Sequence, residues 1–199
     1  LFGFLSSVHP VLAATFEVHE HYTLPGNERV PGNLYVGGAD VQILGAVSGD
    51  ITTAGSKVLI TGAVQGDISA AGGTVDILSP VSGDVRIAGG TVTIGNVVNG
   101  DLIVFGGTVH ILAGSVIRGD VLLLGGDLAL NGAVMGNVRA HGGKIALEAP
   151  INGSADVRAG DMLTFATTAT IGGHFHYTAP TSLTIRDGAV RGEIKYTAP

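Results

Sequence analysis

The 199-residue sequence contains no cysteine and no tryptophan, and only 5% of its residues are aromatic. Without cysteine, the chain can form neither a disulfide nor a thiolate metal site. Charged residues make up 13% of the chain, the net charge is −6, and no run of basic residues occurs. This balance argues against a nucleic acid or an anionic membrane surface as a partner, since both attract positive charge.

Glycine is abundant, with 33 residues, and many of these glycines belong to a repeated Val-x-Gly-Asp-Val motif. The motif is complete in Val81-Ser-Gly-Asp-Val85 and decays toward the C-terminal end of the chain. Its glycines lie at positions 49, 66, 83, 100, 119, 136, 153, 173 and 192, so most steps are 17 residues and the others are 19 or 20. A short, nearly fixed period indicates a solenoid, in which each repeat packs only on its neighbours.

The apolar residues of one repeat predict its shape. One repeat carries the pair Val75 and Ile77, then Val81 alone, then the pair Val85 and Ile87. Spacing by two places both members of a pair on the same side of a β-strand. Three short strands and three corners in 17 residues therefore predict a triangular coil with an aliphatic interior.

The sequence thus predicts an all-β parallel β-helix of about nine triangular coils of ~17 residues, on the order of 40 Å long. Glycine pairs such as 89–90 would interrupt any helical face. An antiparallel sandwich is the alternative, although hairpins rarely repeat so regularly. Two aliphatic columns are expected inside the coils: Val41, Val58, Val75, Val92, Val109, Leu128 and Ile145, and beside them Ile43, Ile60, Ile77, Ile94, Ile111, Leu130 and Leu147.

Three segments are expected along the chain. Residues 1–14 are apolar and uncharged and end in small residues, which is typical of the remnant of a signal peptide; a buried N-terminal segment is the alternative. Residues 15–33 alternate apolar and polar side chains and predict a half-buried capping strand and loop. The parallel β-helix domain is expected over residues 34–199, with aromatic residues entering its columns near the C-terminal end.

The Val-x-Gly-Asp-Val corner, the Gly-Gly-Thr-Val-x-Ile strand and the period near 17 together resemble the bactofilin family of polymer-forming cytoskeletal proteins. The resemblance covers roughly residues 34–198 and is greatest to exported relatives. It implies a right-handed β-helix without enzymatic activity or nucleotide, and end-to-end polymerisation through the terminal coils. The apolar N-terminal segment differs from the short disordered tails of cytosolic bactofilins.

Five aspartates of the motif are expected to stack at one corner, about 4.8 Å apart. One interpretation is a row of oxygen ligands for a divalent cation such as calcium. The other, which we favour, is that each aspartate bonds the backbone amides of its own corner as an Asx turn. Asn137 and Ser154 continue the column and can make the same bond without charge. The weak candidate metal ligands are Asp50, Asp67, Asp84, Asp101 and Asp120.

Two His-x-His pairs, His19 with His21 and His174 with His176, suggest zinc because each pair would share one face of a strand. The pairs lie at opposite ends of the predicted rod, so one chain cannot bring them together. Surface histidines are therefore the simpler interpretation, and we expect no cofactor.

Three other activities of repetitive β-proteins fit less well. A polysaccharide-cleaving β-helix needs long loops that wall a groove, whereas these corners have one or two residues. A hexapeptide acyltransferase needs a six-residue repeat, which is absent, and a catalytic histidine beside an insertion; His141 has none, and the repeat that contains His110 is only two residues longer than 17. An ice-binding rod needs a ladder of Thr-x-Thr, and among the regular 17-residue repeats only Thr91 and Thr93 provide one.

We therefore expect a non-enzymatic structural scaffold that is exported to the cell envelope or surface. Its expected partner is a second copy of itself, bound end to end through the terminal coils. The first coil expected to make this contact is the N-terminal one, Leu34–Val47, after the capping strand has moved away from it. Membrane or cell-wall components are further candidate partners, nucleic acid is not, and a membrane anchor is expected in sequence beyond Pro199. The alternatives are a module that binds divalent cations at the aspartate corner and, third, a polysaccharide-active enzyme.

Overall fold

The computed structural model describes residues 14–199, so the predicted signal-peptide remnant lies outside the described residues except for Ala14. The described chain contains strands and turns but no helix. Accordingly, residues 14–199 include no apolar helix of the length that a bilayer requires. The all-β class predicted from the sequence is confirmed.

Nineteen strands follow one another along the chain. They are β1 (Ala14–Val18), β2 (His21–Leu24), β3 (Arg29–Val30), β4 (Asn33–Ile43), β5 (Ala46–Val47), β6 (Ile51–Ile60), β7 (Ile68–Ile77), β8 (Val85–Ile94), β9 (Val97–Val98), β10 (Leu102–Ile111), β11 (Val116–Ile117), β12 (Val121–Leu130), β13 (Ala133–Val134), β14 (Val138–Leu147), β15 (Pro150–Ile151), β16 (Ala155–Phe165), β17 (Thr170–Ile171), β18 (Phe175–Thr178) and β19 (Ile194–Thr197).

Each regular turn consists of one bent ten-residue strand and, on its third side, either a two-residue strand or a single bridging residue such as Val64 or Val81. In β8, Val85 and Ile87 are buried, and burial then resumes at Val92 and Ile94. The odd step from Ile87 to Val92 requires a corner, because a straight strand would bury only alternate residues. The corner lies at the glycine pair, so β8 covers two sides of the triangle. The prediction of three separate strands per turn was wrong in this detail.

All strands pair in parallel with their equivalents in the neighbouring turn, as the β-helix prediction requires. The long strands form one twelve-stranded sheet, and the short ones form the third side. The structure has about 11 turns rather than the predicted nine. We number them so that turn 1 contains β1–β3, turn 2 begins with β4, and turns 3 to 11 begin with β6, β7, β8, β10, β12, β14, β16, β18 and β19.

The segment predicted as a separate cap forms turn 1 of the same solenoid. Strand β1 pairs with the first half of β4, and β2 pairs with its second half. Thr15 and Glu17 lie in register with the buried Leu34 and Val36, so polar side chains end these two core columns. The boundary expected at residue 34 thus falls between two paired turns.

The burial predicted for β1 was wrong. Its apolar side chains Phe16 and Val18 are 72% and 84% exposed, because they lie on the outer side of the strand. The Phe16 ring stacks on Tyr35 of the next turn, with ring centroids 4.6 Å apart. An apolar–polar alternation defines two sides of a strand, and here pairing with β4 turns the polar side inward.

The two predicted aliphatic columns are confirmed. Their registers run without interruption from β4 to β14, and none of their residues is more than 3% exposed. Each buried side chain of this size contributes roughly 1.5–3 kcal/mol, and only neighbouring turns share it. Toward the C-terminal end aromatic residues take over, as predicted, with Phe175 and Tyr177 buried beside the half-buried Phe165.

The aliphatic columns generate a test of how stability is distributed along the solenoid. Val58→Asp places a carboxylate between Val41 and Val75, at a position that is 1% exposed. We expect it to lower the free energy of unfolding by ~3 kcal/mol or more, because the charge is buried without a partner. Urea denaturation measures this loss, and hydrogen exchange should show reduced protection in turns 2 to 4 together.

The matched control is Lys57→Asp, which adds a carboxylate to the exposed side of the same strand. We expect its stability to stay within about 0.5 kcal/mol of the parent chain. If Val58→Asp loses protection only in β6, then the turns are not energetically coupled to their neighbours.

Candidate functional site

The five motif aspartates stack at one corner of the solenoid, as predicted, and they are joined by hydrogen bonds. Oδ1 of Asp50 accepts the backbone amide of Asp67 at 2.9 Å, and Oδ1 of Asp67 accepts the amide of Asp84 at 2.9 Å. The bonds from Asp101 to Asp84 and from Asp120 to Asp101 are both 2.8 Å long. We call this row the aspartate ladder.

The ladder extends beyond the aspartates in both directions. Asn33 begins it by accepting the amide of Asp50 at 2.8 Å. Its C-terminal part continues through Asn137, Ser154 and His174, and the Nδ1 of His174 accepts the amide of Glu193 at 3.1 Å. The sequence analysis assigned Asn137 and Ser154 to this column but not Asn33, which precedes the first motif, or His174, which occupies the aspartate position of a decayed copy of the motif.

The predicted Asx turn was wrong in one respect. Each side chain bonds the amide of the same position one turn later, not an amide of its own corner. The backbone of a corner leaves the regular sheet pairing, so its amide needs another acceptor. A carboxylate or amide oxygen from the turn below satisfies that amide, and the ladder therefore joins the turns.

The same geometry explains the glycine that precedes each aspartate. A Cβ at Gly66 would collide with Oδ1 of Asp50, and a Cβ at Gly83 would collide with Oδ1 of Asp67. Both glycines have ordinary backbone angles. Glycine is thus required at this position for close approach of the ladder oxygen, and Gly-Asp recurs as a pair for that reason.

One arginine partly offsets the charge of the ladder. The guanidinium of Arg86 contacts Oδ2 of Asp67 at 3.1 Å and Oδ2 of Asp84 at 2.7 Å. The pKa of Asp67 lies below its ordinary value, first because the carboxylate accepts the amide of Asp84 and further because of Arg86. Burial opposes this shift. The carboxylate form of Asp67 is therefore favoured in the folded chain.

The ladder was also the weak candidate for a divalent-cation site. Within residues 14–199, no group of three or more histidine, aspartate or glutamate side chains is arranged to hold a metal ion. The Oδ1 atom of each of the five aspartates already accepts a backbone amide. The structure thus gives these carboxylates a structural role, and cation binding stays a prediction.

The two histidine pairs are placed differently from each other. His19 and His21 were predicted to share one face of a strand. A bend at residues 19–20 separates β1 from β2, so the two histidines do not lie on one strand. His19 instead bonds Glu17 at 2.7 Å. His174 and His176 have ring centroids 6.2 Å apart in turn 10, at the other end of the stack. The structure does not bring the two pairs together.

Two shallow grooves lie on the face that follows the ladder, although the sequence predicted none because the corners are short. Their walls are side chains rather than loops. The first has a volume of about 600 Å³, with a floor of Ala54, Ala71 and Ala88. The second has about 520 Å³ and runs beside the ladder from Asp101 to His176.

Comparison with known proteins finds no matching family model, curated protein or solved structure. The resemblance to bactofilins therefore rests on the Gly-Asp corner, the Gly-Gly strand and the period, and it stays a prediction. The fold itself does not depend on that resemblance, since the strand pairing describes it directly.

The ladder generates a test that separates its hydrogen bonds from its charge. Asp101→Ala leaves the amide of Asp120 without its acceptor, and we expect a loss of about 1 kcal/mol. Asp101→Asn keeps the acceptor oxygen and removes repulsion from Asp84 and Asp120, so we expect equal or higher stability. Urea midpoints of the two variants measure the difference. An equal loss of stability in both variants would show that the negative charge of Asp101, and not its hydrogen bond, is needed.

The lowered pKa of Asp67 predicts a dependence of stability on pH. The folded state binds this proton less tightly than the unfolded state, whose pKa is near 3.8. The stabilisation is therefore complete above 3.8 and is lost as pH falls through the lower folded-state pKa. We expect the melting temperature of Asp67→Asn to change less than that of the parent chain between pH 5 and pH 2. If the melting temperatures of the two proteins fall in parallel between pH 5 and pH 2, then Asp67 is not the source of this pH dependence.

Proposed function

We propose that this chain is a non-enzymatic structural scaffold of the cell envelope that associates end to end with copies of itself. The observation that carries the proposal is the parallel stack of about 11 turns, whose register runs without interruption from β4 to β14. A translation along the stack axis relates each turn to the next, and a second copy placed by the same translation would continue the sheet. The resemblance to exported bactofilins supports the envelope location.

The C-terminal end offers a surface for such a contact. Ile194 and Tyr196 in turn 11 lie in register with the buried Phe175 and Tyr177. They are nevertheless 46% and 39% exposed, because no described turn covers their other side. A turn supplied by a second copy would bury both side chains and pair the free edge of β19.

The N-terminal end is a suitable counterpart because its charge is of the opposite sign. Turn 1 carries Glu17, Glu20 and Glu28 with a single arginine, Arg29. The last residues carry Arg186, Arg191 and Lys195 against Asp187 and Glu193. A head-to-tail contact between unlike ends is heterologous, and such contacts generate open filaments. The contact surface proposed here is turn 1 itself, since β1–β3 already cover Leu34–Val47.

The chemistry of the ladder also favours a scaffold over an enzyme. The aspartates that suggested a row of cation ligands accept backbone amides, and the hydrogen bonds of the ladder run along nearly the whole stack. These bonds stiffen the corners and join each turn to the next. The carboxylates of the aspartate ladder thus help to hold the turns together in a long, rigid rod. Length and rigidity are the properties that a scaffold needs.

End-to-end association is tested by Tyr196→Asp, which places a charge in the proposed contact. We expect the parent protein to form filaments a few nanometres wide in negative-stain electron microscopy across a range of salt. We expect the variant to remain as short rods, because a buried, unpaired carboxylate opposes stacking.

The matched control is Thr197→Asp, which adds the same charge to the outer side of the same strand. It should still form filaments. Short rods in the parent protein at every concentration would rule out association through these ends, and loss of filaments in both variants would point to a general charge effect.

A further inference from the structure

The face between the ladder and the glycine-pair corner carries two rows of outward side chains. The parallel registers of β1, β4 and their successors define both rows, with one residue of each row per turn. Row A, from turn 1 to turn 9, is Phe16, Tyr35, Thr52, Ser69, Arg86, Ile103, Leu122, Arg139 and Asp156. Row B is Val18, Gly37, Ala54, Ala71, Ala88, Phe105, Leu124, His141 and Arg158.

Side-chain size changes abruptly along these rows. Turns 3 and 4 carry only small residues, which form the floor of the 600 Å³ groove. Turns 6 and 7 carry only large apolar ones, and Phe105 among them is 49% exposed. We call the first region the trough and the second the ridge. A trough and a ridge of similar length thus lie side by side on one face, on either side of turn 5.

We propose that the ridge of one copy packs into the trough of a second copy, with the two rods antiparallel about a two-fold axis at turn 5. An axis parallel to the strands keeps each row opposite itself and places turn n opposite turn 10 − n. Phe105 in turn 6 then faces Ala71 in turn 4, and Leu124 in turn 7 faces Ala54 in turn 3. Since the axis is two-fold, each of these contacts occurs twice.

Row A shows a similar match under the same symmetry. In row A, Ile103 faces Ser69 and Leu122 faces Thr52, so a large residue meets a small one again. Arg139 in turn 8 faces the ring of Tyr35 in turn 2, where a cation–π contact is favourable. The symmetry also places Asp156 opposite Phe16 and Arg158 opposite Val18, so these charges lie at the rim of the proposed contact, and its centre is the ridge and trough of turns 3 to 7.

The axis itself passes through Arg86 and Ala88. Two copies of Arg86 would repel each other if their charges were free. Each guanidinium is already bonded to Asp67 and Asp84 of its own chain, which keeps it against the ladder. Ala88 leaves space at the axis, so the two faces can approach closely there.

The flat area of the face lies at the lower end of what specific interfaces bury per partner. Nine turns at ~4.8 Å and four residues at ~3.3 Å define a plane of about 43 by 13 Å. Side chains that interdigitate bury more than the flat plane of ~560 Å², and a standard interface buries about 800 Å² per partner. A parallel arrangement would have the same area, but it would place ridge against ridge, with Phe105 opposite Ile103 of the other copy, and leave the trough empty.

The absence of native cysteine allows a direct test by cross-linking. Ala88→Cys places a thiol beside the axis, so a short bismaleimide should join two copies across faces that are about 10 Å apart. Ala54→Cys and Leu124→Cys should cross-link little alone and efficiently when mixed, because each faces the other. Intact-mass measurement identifies the mixed dimer when one variant carries a tag.

The control is Thr91→Cys, an exposed residue of the same turn beyond the glycine corner, which should not cross-link. Efficient cross-linking of Ala54→Cys to itself, at the level of Ala88→Cys, would overturn the antiparallel arrangement. A monomeric Ala88→Cys whose native mass spectrum retains an apolar small molecule would also overturn the proposal, since the trough would then be a ligand site.

Phe105→Asp provides an independent measurement on the protein without cysteines. We expect its dimer dissociation constant in sedimentation equilibrium to rise at least tenfold, because a central apolar anchor is replaced by a charge. Leu78→Asp, at an exposed leucine outside this face, should leave the constant unchanged. An unchanged constant for Phe105→Asp would contradict the proposal. Filaments are not required for any of these outcomes, so the flank contact is tested separately from end-to-end association.

Discussion

Parallel pairing between the same positions of successive turns is the constraint on which the rest of this structure depends. It places every side chain beside its own equivalents, about 4.8 Å above and below. A column must therefore consist of residues that tolerate one another at that distance. Aliphatic side chains do so in the interior, where Val58 packs between Val41 and Val75. Elsewhere the same constraint produces ladders of hydrogen bonds.

The aspartate ladder shows how the constraint can produce a row that resembles a site for divalent cations. Stacked carboxylates repel one another, yet Asp50, Asp67 and Asp84 remain in register because each satisfies an amide of the next corner. Arg86 offsets part of the repulsion. The neighbouring glycine is explained by the same contact, since a Cβ would occupy the position of the ladder oxygen. The Gly-Asp motif and the ladder hydrogen bond thus have the same cause, which is the close contact between one corner and the next.

A solenoid that uses its interior and its corners for stability leaves two places for function. One is the pair of terminal turns of the described stack, where core positions such as Ile194 and Tyr196 are exposed. The other is the outer rows, where residues can vary from turn to turn without disturbing the core. The two proposed associations use these places separately. Acting together, they would join antiparallel rods along their flanks and extend them at their ends.

The sequence alone determined the class, the period, the aliphatic columns and the corner that holds the aspartates. These features repeat, and repetition makes equivalent positions visible without coordinates. Tertiary structure alone decided three other features. They are the pairing of residues 14–30 as turn 1 of the solenoid, the direction of each ladder hydrogen bond, and the trough beside Phe105. Alternation along Phe16–Val18 defines two sides of a strand, but only its pairing with β4 decides which side is inward. The trough likewise exists only once parallel registers bring residues 17 or 19 positions apart side by side.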